Sequence, residues 1–225
     1  MFNKKTQQEP FYDILDANAS FELKEAYNSL CTNVLYASDN KNNQKLVVTS
    51  SLYGEGKTAV AVNLSIALAS NLVDKKILLV DADLRNPGVH DFLKDKVTES
   101  EHNLGLAGYL LGQADSLPIT KAALDNLDVV LAGGAQLNPA ALMNSPKMKD
   151  FLDKCSEIYD YVILDAPPLN DVSDALLLIG KVDGYIIAAK TKYSKLPMLN
   201  ATQEALSSVG ANIIGIVLTD VNNKK

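Results

Sequence analysis

The stretch TSSLYGEGKTAVAVN, residues 49–63, decides the fold of this chain. An apolar run ends at Thr49, a loop with two glycines follows, and a helical pattern begins near Lys57. This is the setting of a P-loop, in which the backbone N–H groups of the loop and the helix N-terminus converge on phosphate oxygens. The stretch therefore predicts a nucleotide site, although Ser51 stands where the strict pattern has its first glycine.

Six short apolar runs predict the strands of a sheet. Nearly every side chain in them is apolar, which is typical of parallel strands covered on both faces by helices. The runs are LVVTSS from Leu46, ILLVDAD from Ile77, LDVVLAGG from Leu127, YVILDAPP from Tyr161, GYIIAAK from Gly184 and IIGIVLTD from Ile213.

Helix-length segments lie between these runs. They include TAVAVNLSIALASN, SPKMKDFLDKCSEI and SKLPMLNATQEALSSVG; Pro197 suits a first turn and Gly210 a C-cap. Strand–helix alternation implies right-handed crossovers and an α/β fold, a doubly wound, mostly parallel sheet with helices on both faces, as in P-loop NTPases. We expect a tail or docking segment over residues 1–19 and a single domain over 20–225, with a first helix from about Ser20 to Ser38.

Composition excludes several classes of function. The chain has 225 residues, 21 basic and 27 acidic, and a net charge of −6, so we expect no nucleic-acid partner. Cys31 and Cys155 lack metal-ligand spacing and are expected to be buried, reduced thiols. The N-terminus has no apolar signal-peptide region, and no window is apolar enough to span a bilayer. These features predict a cytoplasmic protein.

Three aspartates follow buried runs at the expected carboxyl edge of the sheet. Asp81 and Asp83 end ILLVDAD, and Asp165 ends YVILD. Open α/β sheets bind ligands at this edge, and a magnesium-bound triphosphate needs a neighbouring carboxylate. Alone, a strand-end aspartate is more often a cap or turn residue. Three of them beside a P-loop favour a metal–nucleotide site.

Three motifs in order identify a family. SLYGEGKT, LLVDADLR and VILDAPP resemble the Walker A, A′ and B motifs of the bacterial tyrosine kinases (BY-kinases), in particular their soluble CpsD/CapB type. EAYNSLCTN, LNPAALMNSPKM and DVSDALLL resemble further segments of that family. The resemblance runs from about Glu25 to Val221.

The resemblance implies an ATP- and Mg²⁺-dependent protein-tyrosine kinase that regulates capsular or exopolysaccharide synthesis. Lys57 would hold the phosphates, and Thr58, Asp83 and Asp165 the metal. Asp81 is favoured as the base that accepts the tyrosine proton, and Arg85 would support the acidic cluster or the transferred phosphate. The remaining nucleotide contacts are expected from Ser51, Gly54, Glu55, Gly56 and Ala59 of the loop and from Thr219 near the adenine pocket.

The resemblance also implies partners. A soluble kinase of this type works with a transmembrane adaptor of the polysaccharide chain-length-determinant type, which would recruit it to the inner face of the membrane and contact its nucleotide-proximal surface. Protein tyrosines would be its substrates.

Several positions depart from the family pattern. Asn28 and Cys31 replace two arginines that help subunits close a ring, so ring assembly through that contact is doubtful and a homo-oligomer is left open. No tyrosine cluster is found at the C-terminus, where the last tyrosine is Tyr193. The acceptor would then be another site or another protein. Tyr53 replaces a common proline in the loop.

Two alternatives remain at this point. One is a nucleotide-dependent switch resembling the MinD/ParA-like partitioning and division-site ATPases, which usually carry a second lysine early in the loop, near Leu52 here. The other is a catalytically weak, ATP-binding scaffold of the polysaccharide-export complex.

Overall fold

The computed structural model describes residues 14–37, 43–93, 96–97 and 104–221. The strands are β1 (Gln44–Ser50), β2 (Ile77–Asp81), β3 (Thr120–Lys121), β4 (Leu127–Val130), β5 (Tyr161–Asp165), β6 (Gly184–Lys190) and β7 (Ile213–Thr219). The α-helices are α1 (Phe21–Ala37), α2 (Lys57–Asn71), α3 (Val89–Leu93), α4 (Gly105–Leu110), α5 (Pro139–Met143), α6 (Pro146–Ile158) and α7 (Leu196–Ser208), and Asp174–Leu178 is a 3-10 helix.

The strands form one sheet in the order β3-β4-β2-β5-β1-β6-β7. All neighbouring pairs are parallel except β3 and β4, which are antiparallel. The six predicted strands and the mostly parallel, doubly wound fold are confirmed. Strand β3 was not predicted, because two residues are too short for a hydrophobic pattern.

Helices cover both faces of the sheet, since alternate residues of a strand point to opposite sides. On one face, Leu46 and Val48 of β1 pack with Val60 and Leu64 of α2. On the other face, Val47 packs in a separate cluster with α6. Both clusters are fully buried around the central strands, so β1 and its C-terminal loop have a rigid support.

Strand β7 differs from the prediction. Its run of apolar residues predicted burial on both faces, but Ile216 and Leu218 are 40% and 63% exposed. The reason is its position at the edge of the sheet, where it pairs with β6 on one side only. An edge strand can thus carry an apolar sequence and still face solvent.

The predicted helix limits hold closely. Helix α1 spans Phe21–Ala37, α7 has Pro197 in its first turn, and Gly210 beyond its end has φ +75°. Before α1, the Leu15 N–H donates to Asn63 Oδ1 of α2 at 2.7 Å, so the end of the expected tail contacts the core. Residues 1–13 lie outside the described part, and the division into tail and domain stays a prediction.

Two further predictions concern cysteines and the membrane. Cys31 and Cys155 are free thiols, 2% and 0% exposed, which confirms their burial. Within the described ranges, every helix is too short or too polar to cross a bilayer.

Candidate nucleotide and phosphoryl-transfer site

The P-loop connects β1, at the centre of the sheet, to α2. Its last residue, Gly56, is the N-cap of α2 with φ +88°, a conformation that residues with a Cβ rarely adopt. A Cβ at this position would also lie 3.1 Å from the Thr219 side chain. Thr219 Oγ1 in turn donates to the Glu55 carbonyl at 2.8 Å. The end of β7 therefore fixes the loop where the helix begins.

Glu55 holds the loop together from inside. Its side chain is fully buried, and Oε2 accepts the N–H groups of Ser51 at 2.7 Å and Leu52 at 2.8 Å. Its Oε1 accepts the Ser194 hydroxyl from the loop before α7. The carboxylate therefore points into the protein and away from the phosphate side. Sequence reasoning missed this role, because the partner Ser194 is 139 positions away.

The three predicted aspartates converge on Lys57. In the β2–β5 register, Asp81 lies opposite Asp165, so both residues end at the same edge of the sheet. The Lys57 Nζ atom lies 2.8 Å from Asp83 Oδ2 and 3.4 Å from Asp165 Oδ1. Thr58 Oγ1 donates to Asp165 Oδ2 at 2.6 Å. The structure thus brings Walker A residues together with both acidic motifs.

Backbone N–H groups orient two of these carboxylates. Asp83 Oδ1 accepts from the N–H groups of Arg85 and Asn86, at 3.2 and 2.9 Å, in a tight turn. Asp81 Oδ2 accepts from the N–H groups of Gly88 and Val89, at 3.1 and 3.0 Å. The other Asp81 oxygen, Oδ1, is buried and has no hydrogen-bond partner.

Burial and charge shift the ionisation of this cluster. Burial favours the neutral form of Lys57, but the fields of Asp165 and Asp83 more than offset it and raise the pKa of Lys57 above its usual value. Burial, and then the charge of Asp165, raise the pKa of Asp81 to about 8. Burial also raises the pKa of Asp165, although Lys57 and Thr58 act against it. Asp83 and Asp165 thus share one buried ammonium group, and Asp81 lies beside them with a raised pKa.

The Arg85 side chain makes a contact that the sequence did not indicate. Its guanidinium forms a two-bond ion pair with Asp174, with Nε–Oδ2 at 2.6 Å and Nη2–Oδ1 at 2.9 Å. Asp174 is buried in the 3-10 helix. Arg85 therefore supports the acidic cluster through its backbone N–H to Asp83, while its side chain ties the Walker A′ turn to the segment after Walker B. The DVSDALLL segment contained this partner, but nothing in its pattern indicated the pair.

A cavity of about 970 Å³ opens from the P-loop between α1 and the end of β7. Six of the predicted nucleotide contacts line it: Gly54, Gly56, Lys57, Thr58, Ala59 and Thr219. Ser51 and Glu55 do not; Ser51 is buried and its Oγ accepts from Thr202 Oγ1 at 2.9 Å. Residues that sequence reasoning did not name, among them Tyr27, Pro87 and Lys190, complete the lining. The cavity is large enough for a nucleotide.

Comparisons with known proteins agree with this geometry. The family described as an AAA domain matches residues 43–212. The chain is 33% identical over 204 residues to "Tyrosine-protein kinase YwqD" of Bacillus subtilis (strain 168), covering 89% of this chain and 81% of that protein. This chain belongs to the bacterial tyrosine kinases. The solved "kinase domain of Escherichia coli tyrosine kinase ETK" superposes with a TM-score of 0.78 at 29% identity, over 87% of this chain and 74% of that domain.

The tyrosine kinase fold is shared with a wider class of P-loop proteins. The cell division ATPase MinD of Pyrococcus furiosus matches with a TM-score of 0.64 at 23% identity, over 78% of this chain and 71% of that one. At this identity the likeness concerns the fold alone. Both structures confirm the P-loop α/β architecture, and the kinase relatives imply nucleotide binding.

Helix α1 contains the two positions at which the tyrosine kinase pattern has arginines. In this chain they are Asn28 and Cys31. Cys31 is buried against the core, so its side chain is not on the surface of α1. Asn28 is exposed; its Nδ2 lies 3.3 Å from Glu25 Oε1, and its Oδ1 accepts from Asn71 Nδ2 at 3.0 Å. Neither residue supplies a cation to a neighbouring copy.

Proposed function

We propose that the protein is an ATP-dependent protein-tyrosine kinase that acts in the control of capsular or exopolysaccharide synthesis. The observation that carries this proposal is that Lys57 contacts Asp83 and Asp165 at the C-terminal edge of the sheet, with Asp81 opposite Asp165, in a chain of the tyrosine kinase family. Phosphoryl transfer needs positioning and charge neutralisation more than covalent chemistry. This cluster offers both.

The residues present fit a magnesium-bound triphosphate. Among the described residues, no group of three or more His, Cys, Asp or Glu side chains is arranged to hold a metal ion alone. Mg²⁺ at nucleotide sites typically uses one or two carboxylates and takes its other ligands from phosphates and water. Thr58, Asp83 and Asp165 would hold the ion, and it would neutralise phosphate charge during transfer. The excess of buried carboxylates over ammonium groups supports this assignment.

Lys57 and the loop backbone would hold the phosphates. In this structure the ammonium group is paired with Asp83 and Asp165. A triphosphate competes with these carboxylates for the ammonium group, and a divalent cation compensates the carboxylates that it leaves. Nucleotide and metal binding are therefore expected to depend on one another.

We assign the general base to Asp81. A tyrosine hydroxyl has an ordinary pKa near 10, so a carboxylate that accepts its proton during transfer is useful. Asp81 Oδ2 is held by two backbone N–H groups, and Oδ1 has no hydrogen-bond partner. The raised pKa of Asp81 disfavours its ionised form in the protein alone, and a cation held by Asp83 and Asp165 would favour that form, in which Oδ1 can accept a proton. Arg85 acts as a positioning residue, because it orients Asp83 through its N–H and anchors the turn on Asp174.

A transmembrane adaptor of the chain-length-determinant type is the proposed activator, and it would recruit the kinase to the inner face of the membrane. Support comes from exposed apolar side chains beside the nucleotide cavity. Phe21 at the start of α1 is 73% exposed, and Leu218 and Val221 at the end of β7 are 63% and 53% exposed. Exposed apolar side chains at the mouth of the cavity, Leu218 and Val221 among its lining, fit a protein partner.

The test is an assay of phosphotyrosine formation with Mg²⁺, ATP and the cognate membrane adaptor. We expect wild-type protein to label itself or a Glu–Tyr copolymer, and Asp81→Asn to reduce the rate at least about a hundredfold, as is usual for loss of a general base. The matched control is Asp115→Asn, an exposed aspartate away from the cluster, which should retain the rate. Equal rates in all three proteins would refute the assignment of Asp81.

Two other outcomes distinguish the alternatives. ATP hydrolysis stimulated by a partner without phosphotyrosine would favour the partitioning-type switch, although Leu52 stands where those proteins usually have lysine. Nucleotide binding without turnover would favour the scaffold, which the absence of arginine at residues 28 and 31 keeps open.

A further inference from the structure

Tyrosine exposure separates the candidate phosphate acceptors of this chain. It has nine tyrosines, and all but Tyr12 lie in the described ranges. Of those eight, the two with exposed rings are Tyr36, at 78%, and Tyr193, at 50%. Tyr53 is half-buried in the P-loop, and the other five are buried: Tyr27, Tyr109, Tyr159, Tyr161 and Tyr185.

Tyr193 differs from Tyr36 in what it contacts. Tyr36 lies in the last turn of α1, whereas Tyr193 lies in the turn between β6 and α7, outside any helix. The Tyr193 hydroxyl donates to the Tyr53 carbonyl of the P-loop at 3.3 Å. A Cβ on Gly54 would lie 4.0 Å from the same hydroxyl oxygen. The hydroxyl of the exposed Tyr193 ring thus contacts the phosphate-binding loop at Tyr53 and Gly54.

The segment around Tyr193 braces the loop. The next residue, Ser194, donates to Glu55, the buried carboxylate that holds the N–H groups of Ser51 and Leu52. The Tyr193 bond is long, and the ring is half exposed, so releasing the hydroxyl costs little. Tyr193 can therefore leave the loop without unfolding the segment that positions it.

We propose that Tyr193 is a phosphorylation site of this protein, modified by a second copy of the chain, and that the phosphate weakens nucleotide binding. The proposal rests on the kinase activity proposed above. In its own copy the Tyr193 hydroxyl is bonded to the Tyr53 carbonyl of the P-loop, and the ring is 50% exposed on the turn between β6 and α7. A second copy can present its own cavity to the exposed turn.

The transfer step is balanced as follows. The Tyr193 oxygen forms a bond to the γ-phosphorus of ATP held by the other copy, and the bond from that phosphorus to the β–γ bridging oxygen breaks. The phenolic proton passes to Asp81 of the copy that holds the ATP. The products are phosphotyrosine and ADP.

The phosphate would act on the loop in two ways. It removes the O–H donor to the Tyr53 carbonyl, and it adds a charge of about −2 beside a loop that binds a triphosphate. With screening at physiological salt, we expect ATP affinity to fall by about tenfold.

The first experiment maps self-phosphorylation of the full chain with Mg²⁺, ATP and the membrane adaptor, with a Glu–Tyr copolymer as an internal measure of activity. Asp81→Asn protein carrying a size tag serves as an acceptor that cannot label itself. We expect phosphate on Tyr193 of the tagged copy. Tyr193→Phe should lower the ratio of self-labelling to copolymer labelling several-fold, and Tyr36→Phe, the other exposed tyrosine, should leave it unchanged.

The outcomes separate this proposal from the proposed function. If the copolymer is labelled but Tyr193 is not, the site is refuted and the kinase function stands. If neither is labelled, the kinase function fails and this proposal falls with it. Label on Tyr193 only in copies that are themselves active would refute transfer between copies.

A second experiment tests the consequence without any enzyme turnover. Phosphotyrosine is incorporated at position 193 during translation, and binding of a fluorescent ATP analogue is titrated with Mg²⁺. We expect a dissociation constant about tenfold higher than that of the unmodified protein. Phosphotyrosine at position 36 is the matched control and should change nothing. Equal affinity for the two modified proteins would refute the effect on nucleotide binding.

Discussion

Replacing Lys57 by methionine tests the charge balance of the acidic cluster directly. Lys57 is 6% exposed and its ammonium group lies between Asp83 and Asp165, both fully buried. Methionine keeps most of the volume but leaves these carboxylates without their cation. Removing one partner of a buried ion pair costs about 3–5 kcal/mol. Because domains are stable by only about 5–15 kcal/mol, this is a large fraction of the total.

The assay is urea unfolding followed by far-ultraviolet circular dichroism, without nucleotide. We expect Lys57→Met to lower the free energy of unfolding by about 3–5 kcal/mol, with an unchanged dependence on urea. Adding Asp83→Asn should restore part of the loss, because one uncompensated charge is removed. Lys149→Met is the control: this lysine forms an exposed pair with Asp153, which is worth only about 0.3–0.5 kcal/mol.

Stability of Lys57→Met within about 0.5 kcal/mol of the wild type would refute the charge balance described above. It would mean that the buried aspartates are protonated or hydrated and need no cation. The expected result has a practical consequence, since loss of kinase activity in a Lys57 variant then needs a measurement of folding before it is attributed to catalysis.

Three other substitutions probe the loop and the core. Glu55→Gln should lower the free energy of unfolding by about 1–3 kcal/mol in thermal melts and should weaken nucleotide binding, because the carboxylate holds two loop N–H groups. Unchanged binding of a fluorescent nucleotide would contradict this. Gly56→Ala should lower the free energy of unfolding by about 1–2 kcal/mol because of the φ of +88° alone, and the contact of the new Cβ with Thr219 should lower it further. A melting temperature equal to that of the wild type would show that the loop adapts. Phe151 is fully buried and remote from the site. Phe151→Ala should lower the free energy of unfolding in urea by about 3–5 kcal/mol and leave the nucleotide affinity of the folded protein unchanged. A change in that affinity would show coupling between the core and the site.

Much of the site was predictable, because its elements are local in the chain. A glycine-bearing loop between a buried strand and a helix indicates a P-loop over about ten residues. Asp81 and Asp165 follow two apolar runs, and parallel strands bring their carboxyl ends to one edge of the sheet. Their position at one edge of the sheet thus followed from strand ends alone, whereas their contacts with Lys57 did not.

Other features depended on contacts between distant parts of the chain. The Arg85–Asp174 pair joins residues 89 positions apart, and the contact of Glu55 with Ser194 spans 139 positions. Neither has a spacing that a sequence pattern could reveal. The exposure of β7 has the same origin, since its sequence resembles a buried strand and only strand order places it at an edge.

The sequence by itself therefore determined the six main strands, the phosphate loop and the acidic residues beside it, because hydrophobic period and glycine placement act over a few residues. Tertiary structure alone decided which carboxylates share Lys57, where Arg85 and Glu55 point, and that Tyr193 reaches the P-loop. These depend on packing, which fixes distances between residues that the chain keeps far apart.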